Sequence, residues 1–227
     1  MDISIIVPTF NEAANVAPLV AAVGAALDGS DYEIVFADDS TDSTPDIIRK
    51  VGETDPRVRM HHRTRGRGLA TAVVEALPVA RAEIIVVIDG DLQHPPDMIP
   101  ALLAAASEGV DMVVASRYMP GGWDSGLSGP HRRLASKATR LAAYLILPRS
   151  RLTTDPLSGF FVFRRAVVEA AALRPIGYKI LLEILVRGRV GKVVDVPFGF
   201  EPRQAEQSKA GLREAFNYLR QLWRLRV

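Results

Sequence analysis

The stretch VVIDGDLQHPPD, residues 86–97, decides the reading of this chain. An apolar run stops at Asp89-Gly90-Asp91 and is followed by Gln93, His94, two prolines and Asp97. Two carboxylates at i and i+2 point the same way if strand geometry persists, and a glycine between them permits a turn that brings both to one ion. An Asp/Asp/Gln oxygen set without Cys suits a hard cation, Mg²⁺ or Mn²⁺, better than zinc. Magnesium keeps waters and shares its other positions with phosphate oxygens, so the expected guest is a diphosphate. The plainer alternative is a capped turn before a helix over 96–108. His94, beside two prolines at a helix start, is expected on the surface.

Working outward, ISIIV (3–7), YEIVFA (32–37), VRMHH (58–62), EIIVVI (83–88) and DMVVAS (111–116) are β-branched runs without strict alternation. Strands covered on both faces read this way. Helical segments at about 13–27, 44–53, 67–80 and 96–108 separate them, the second introduced by Ser43 as N-cap with Pro45 just inside. Strand and helix alternating at this spacing predicts right-handed βαβ units and a mostly parallel sheet, an α/β fold. Ligands in such sheets sit beyond the carboxyl ends of the strands. That edge collects Pro8 to Glu12, Asp38-Asp39-Ser40, Arg63 to Gly68, Asp89 to Asp91, and Arg117.

Beyond residue 117 come a Gly-rich loop (120–130), a basic amphipathic helix (131–147), Asp155-Pro156-Leu157-Ser158-Gly159, the strand FFVFRR, the helix GYKILLEILVRG, a strand or hairpin VVDVPFGFEPR and a closing basic helix. No repeat or linker interrupts the chain, which is expected to be one domain over 1–227.

Charge is divided unevenly. Residues 1–111 hold 8 Lys/Arg against 18 Asp/Glu, and residues 112–227 hold 20 against 8. The front half is suited to a cation, the back half to anions such as phosphate, nucleic acid or an anionic membrane. With 0 cysteines there is neither a disulfide framework nor a thiolate metal site, which fits a reducing, cytoplasmic setting. No signal-peptide pattern follows Met1, and no apolar window is long enough to span a bilayer.

IIVPTFNEAANV, FADDSTDST, VVIDGDLQHPPD, DPLSGFFVFRR, GYKILLEIL and the closing SK-x-GLREAFNYLRQL together resemble glycosyltransferase family 2, and within it the polyprenol (dolichol) phosphate mannose synthases. The resemblance implies a GT-A fold, with a nucleotide-sugar half over 1–116 and an acceptor half over 117–227. It implies an inverting transfer of mannose from GDP-mannose to a polyprenyl phosphate, with Mg²⁺ or Mn²⁺. Carried onto matching positions, it assigns Pro8, Phe10, Glu12, Ala37 and Asp39 to the nucleotide, Asp39 receiving hydrogen bonds from base or ribose. Asp89, Asp91 and Gln93 would hold the metal, with Gly90 beside it. Arg117, Arg132, Lys179, Arg203 and Lys209 would face phosphates, Arg117 and Arg132 the acceptor's. The family usually has tyrosine where Phe10 stands, and Gly-Glu where Glu206-Gln207 stands.

Residues 131–147 place Leu134, Ala138, Leu141 and Leu145 on one face among basic residues, as a helix lying on anionic headgroups requires. A core-packed helix fits the same pattern. Peripheral contact with the cytoplasmic face of a membrane is therefore expected, and nucleic acid is not a partner. A UDP-sugar donor with the same acceptor, or a non-catalytic binder of anionic lipid or nucleic acid, are the alternatives. The latter leaves Asp39, Asp89 and Asp91 without a role.

Overall fold

The computed structural model describes residues 1–63, 68–123, 130–199 and 212–226, with backbone alone for 130–133 and 212–213. In chain order the elements are β1 (Ile3–Thr9), α1 (Val16–Ala26), β2 (Tyr32–Asp38), α2 (Thr44–Thr54), β3 (Val58–His62), α3 (Leu69–Ala76), β4 (Ile84–Val87), α4 (Ile99–Ala105), β5 (Met112–Ser116), α5 (Pro130–Ile146), β6 (Phe161–Arg164), α6 (Ile180–Arg187), β7 (Val193–Pro197) and α7 (Leu212–Leu225).

The seven strands form one sheet in the order β3-β2-β1-β4-β6-β5-β7. All neighbours are parallel except β6, which runs antiparallel between β4 and β5. Because successive side chains point to opposite faces, each strand feeds two cores. Ile5, Val7, Ile34, Phe36, Val86 and Val113 pack with α1, α2 and α4. Ile6, Val35, Ile85, Val87, Val114 and Phe161 pack with α3 and α6 on the other face. This two-sided burial explains the unbroken apolar runs, each fully buried Val, Ile or Leu contributing roughly 1.5–3 kcal/mol.

A third cluster lies behind α6. Ala143 and Leu147 near the end of α5 and Tyr218, Leu222 and Leu225 of α7 close over Leu157 and Leu182. The opposite face of α5 is left outside, with Leu134 and Leu145 each 69% exposed and Leu141 also exposed. Of the two readings open for this helix, the apolar stripe turned outward is the one observed. In the same manner α7 turns Phe216, Leu219 and Trp223 outward.

Two local expectations are corrected. Ser43 makes no side-chain cap on α2, although proline does occupy the first turn. Asp42 takes that role, accepting from the Thr44 N–H at 3.0 Å and from Thr44 Oγ1 at 2.6 Å, a competing turn bond that a single residue shift cannot distinguish in sequence. His94 is not at the surface but 3% exposed.

The carboxyl edge of the sheet is stitched by Asp38, which is wholly buried. Its Oδ1 accepts from Thr9 Oγ1 at 2.9 Å and from Ser40 Oγ at 2.6 Å, while His62 Nδ1 lies 2.8 Å from Oδ2. One carboxylate thus ties the ends of β1, β2 and β3 together. Asp38→Ala would strand these buried partners, and equilibrium urea unfolding should show a loss of about 3 kcal/mol. A loss below about 0.5 kcal/mol would refute the stitching role.

Candidate functional site

The loops following β1 and β2 meet first. Asn11 takes a left-handed conformation, φ 58°, and its neighbours fix it. Its N–H donates to Ser40 Oγ at 2.8 Å, and its Oδ1 accepts from the Thr41 N–H at 3.0 Å. Glu12 follows, donating its N–H to Thr44 Oγ1 at 2.9 Å and accepting from Asn15 Nδ2 at 2.7 Å. Phe10 is partly exposed beside them, whereas Pro8 and Ala37 are buried in the sheet edge.

Asp39 is held from one side only. Its Oδ2 accepts from Arg63 Nη1 and from the Gly68 N–H, both at 3.0 Å. Arg63 is itself clamped, its Nε and Nη2 each donating at 3.0 Å to a different oxygen of Glu75. The other Asp39 oxygen, Oδ1, is buried with no hydrogen-bond partner among the described residues. A buried acceptor left in this state has room for a further donor.

At the centre β4 stops at Val87, so the acidic tip is a turn rather than strand. Leu92 adopts φ 60°, a rare conformation for a leucine, of the kind that collects at ligand sites. The turn is closed by the Gln93 N–H donating to Asp91 Oδ1 at 3.2 Å. Asp91 and Gln93 are buried and Asp89 is partly exposed. Gly159, arriving on the loop before β6, presses on Asp89. A Cβ at Gly159 would stand 2.7 Å from Asp89 Oδ2, and one at Gly90 would stand 3.0 Å from Thr9 Cγ2. At Gly159 a side chain would displace the Asp89 carboxylate, whereas at Gly90 it would need Thr9 to give by only a few tenths of an ångström.

His94 fills the space below the tip. Its ring centroid lies 5.6 Å from those of both Phe160 and Phe198, and Nδ1 is 3.5 Å from Asp89 Oδ2. Burial pushes its pKa down to about 4, against the pull of Asp91, so it is neutral near pH 7. The aromatic pocket that buries it comes from residues more than sixty positions downstream, which is why the two adjacent prolines misled the sequence reading.

The cations face the tip from the C-terminal half. Asp155, wholly buried, receives a bidentate contact from Arg117, Nε to Oδ2 at 2.7 Å and Nη2 to Oδ1 at 3.0 Å. Lys179 is the residue just before α6 rather than within it, and its Nζ donates to the Leu157 carbonyl at 3.0 Å. Burial, and then the charge of Arg117, lower the Lys179 pKa to about 8, opposed by Asp155 and Asp89. The side chain of Arg132, and Arg203 and Lys209 entirely, lie outside the described residues. Sequence reasoning gave no role to Asp155, Gly159, Arg63 or Asp38. DPLSG carried the signal for the first two, but their partners are 38 and 70 positions away.

The tip fits a divalent cation. Among the described residues no three His, Cys, Asp or Glu side chains gather, so two carboxylates and an amide would leave several positions for water and phosphate oxygens. The all-oxygen donor set is that of Mg²⁺ or Mn²⁺.

The family model described as glycosyl transferase family 2 matches residues 4–171. A dolichol-phosphate mannosyltransferase of Pyrococcus furiosus is 41% identical over 99% of this chain, and the chain spans 64% of that relative's length. One from Saccharomyces cerevisiae is 31% identical over 100% of the chain and 88% of its own. A crystal structure of glucosyl-3-phosphoglycerate synthase from Mycobacterium tuberculosis, in complex with Mn²⁺, UDP and glucosyl-3-phosphoglycerate, superposes with a TM-score of 0.73. It is 21% identical and covers 99% of this chain and 78% of that one, which establishes a GT-A-like fold.

Two outcomes test the geometry. Gly159→Ala should push the Asp89 carboxylate aside, weakening Mn²⁺ binding by calorimetry about tenfold with little change in melting temperature; unchanged binding would reject the contact. Since the Lys179 ammonium is lost as pH rises through about 8, kcat/KM should fall above that pH, and Lys179→Arg should carry the limb to higher pH. An identical profile in the arginine variant would exclude Lys179 as its source.

Proposed function

The chain belongs to glycosyl transferase family 2, and from that premise we propose that it transfers mannose from GDP-mannose to a polyprenyl phosphate. The observation that carries the reading is the acidic tip of Asp89 and Asp91 set opposite Arg117 and Lys179 at one edge of a mostly parallel sheet. In this reading residues 1–116 hold the donor and residues 117–227 the acceptor. Phe10 and Glu12 border the nucleotide, and the uncommitted Asp39 oxygen accepts from its base or ribose.

A Mg²⁺ or Mn²⁺ ion held by Asp89, Asp91 and Gln93 would neutralise charge on the donor diphosphate. The acceptor is a phosphate monoester, whose second pKa of about 6 leaves it ionised near neutrality. No strong general base is required, and His94, whose pKa burial lowers to about 4, is a weak one. The obstacle is repulsion between two anionic groups that must approach each other. Lys179 and Arg117 lower it by their charge, the guanidinium being held in place by Asp155 along its Nε and Nη2 edge. A single displacement from the side opposite the diphosphate inverts the anomeric carbon and gives a β-linked lipid phosphosugar.

The outward faces of α5 and α7 suit this acceptor. Leu134, Leu141 and Leu145 on one helix and Phe216, Leu219 and Trp223 on the other are exposed, with Lys137, Arg220 and Arg224 among them. Such a surface lies against anionic headgroups at the depth where a polyprenyl phosphate sits. The reading is therefore of a peripheral protein at the cytoplasmic face of a membrane. Among the described residues no helix is long and apolar enough to cross it.

Asp91→Ala should remain folded while polyprenyl phosphohexose formation, followed by mass spectrometry with a panel of nucleotide sugars, drops by about 10³-fold or more. In wild-type protein GDP-mannose should outrun UDP-sugars; a preference for a UDP-sugar would overturn the donor assignment. Replacing Phe216, Leu219 and Trp223 together by serine should weaken cosedimentation with anionic vesicles about tenfold or more. Undiminished cosedimentation would remove α7 from the membrane contact.

A further inference from the structure

We propose that Gln221 is a positioning residue for Lys179, the means by which α7 sets where that ammonium stands in the site. The inference rests on the phosphate-facing role given to Lys179 above.

Gln221 lies on the inward face of α7 and is 1% exposed. Its Nε2 donates to the Lys179 carbonyl at 2.9 Å, across 42 positions of sequence. Lys179 has φ −98° and ψ 67°, outside the helical region, so the chain enters α6 through a bend at this residue. The bend is packed from both sides. Gly177, at φ 72°, lies within contact range of α7: a Cβ there would stand 3.4 Å from Asn217 Cβ and 3.5 Å from Glu214 Oε2. On the other side the Gly177 carbonyl accepts from the Ala70 N–H at 3.2 Å, at the start of α3.

Lys179 is thus gripped twice, its carbonyl by Gln221 and its ammonium by the Leu157 carbonyl at 3.0 Å, with the Tyr178 ring centroid 4.4 Å from Nζ. Leu157 sits between Asp155, which holds Arg117, and Gly159, which abuts Asp89. Shifting the bend by about 1 Å would move the ammonium relative to the metal tip, a displacement that costs up to about 100-fold in rate. A purely structural account of Gln221 is weak, because its Oε1 is buried with no hydrogen-bond partner among the described residues. A buried glutamine half satisfied in this way sets one hydrogen bond against the desolvation of an unpaired oxygen, a small net gain in stability. The helix that carries it also carries the exposed Phe216, Leu219 and Trp223, so one element joins the apolar outer surface to a charged group in the site.

The test is a mutant cycle assayed with GDP-mannose, Mn²⁺ and detergent-dispersed polyprenyl phosphate, with melting temperatures measured in parallel. Gln221→Met should lower kcat about tenfold while the melting temperature falls by no more than a few degrees, the loss expected when one carbonyl gives up a donor. Gln221→Leu, a second apolar side chain that lacks the donating amide, should lose as much. Lys179→Met should lower kcat about 100-fold, and adding Gln221→Met to it should cost nothing more, since the tether then holds no functional group. Full activity in Gln221→Met or Gln221→Leu, or losses that multiply in the double variant, would overturn the positioning role while leaving Lys179 in the site. Full activity in Lys179→Met alone would instead remove Lys179 from the proposed function, and the inference with it.

Discussion

The arrangement depends on one buried ion pair. Arg117 ends the approach from β5, and Asp155, with no exposed surface, sits at the start of the loop that leads into β6. Taking both charges out of water is costly, and the bidentate geometry is what offsets that cost. Removal of either partner would leave an uncompensated buried charge, a penalty of roughly 3–5 kcal/mol. The loop from 155 to 159 is therefore fixed in one place, and the rest of the site is built on it.

From that loop three consequences follow in space. Gly159 comes to rest on the Asp89 carboxylate, Phe160 covers His94, and the Leu157 carbonyl takes the Lys179 ammonium. The antiparallel course of β6 makes this possible. A parallel strand would enter the sheet from its amino edge, whereas β6 begins at the carboxyl edge, beside the tip of β4. Among the described strands, the one that runs against the others thus delivers the C-terminal half of the chain to the N-terminal half, and it brings basic residues to an acidic edge.

Much of this was legible in the sequence, and the limits have a physical origin. Runs of β-branched residues without alternation located β1 to β5 within a residue or two, because burial on both faces leaves no polar period to misread. The acidic tip stood out because two aspartates and a glycine cannot continue a buried strand. What escaped was set by partners remote in sequence. His94 looked like a surface residue until Phe160 and Phe198 closed over it. Arg117 was assigned to the acceptor phosphate, yet two of its nitrogens are bound by Asp155. Asp38 was indistinguishable from ordinary turn chemistry, since nothing local shows that Thr9 and His62 converge on it. Gln221 lay in a helix whose pattern announced only amphipathicity.

The central claim is that the tip after β4 holds the divalent cation on the nucleotide diphosphate. Anomalous diffraction from crystals grown with GDP and Mn²⁺ tests it most directly. The account predicts a manganese peak within about 2.0–2.4 Å of oxygens from Asp89, Asp91 or Gln93 and of the diphosphate. A peak bound elsewhere, with the diphosphate away from this tip, would contradict it.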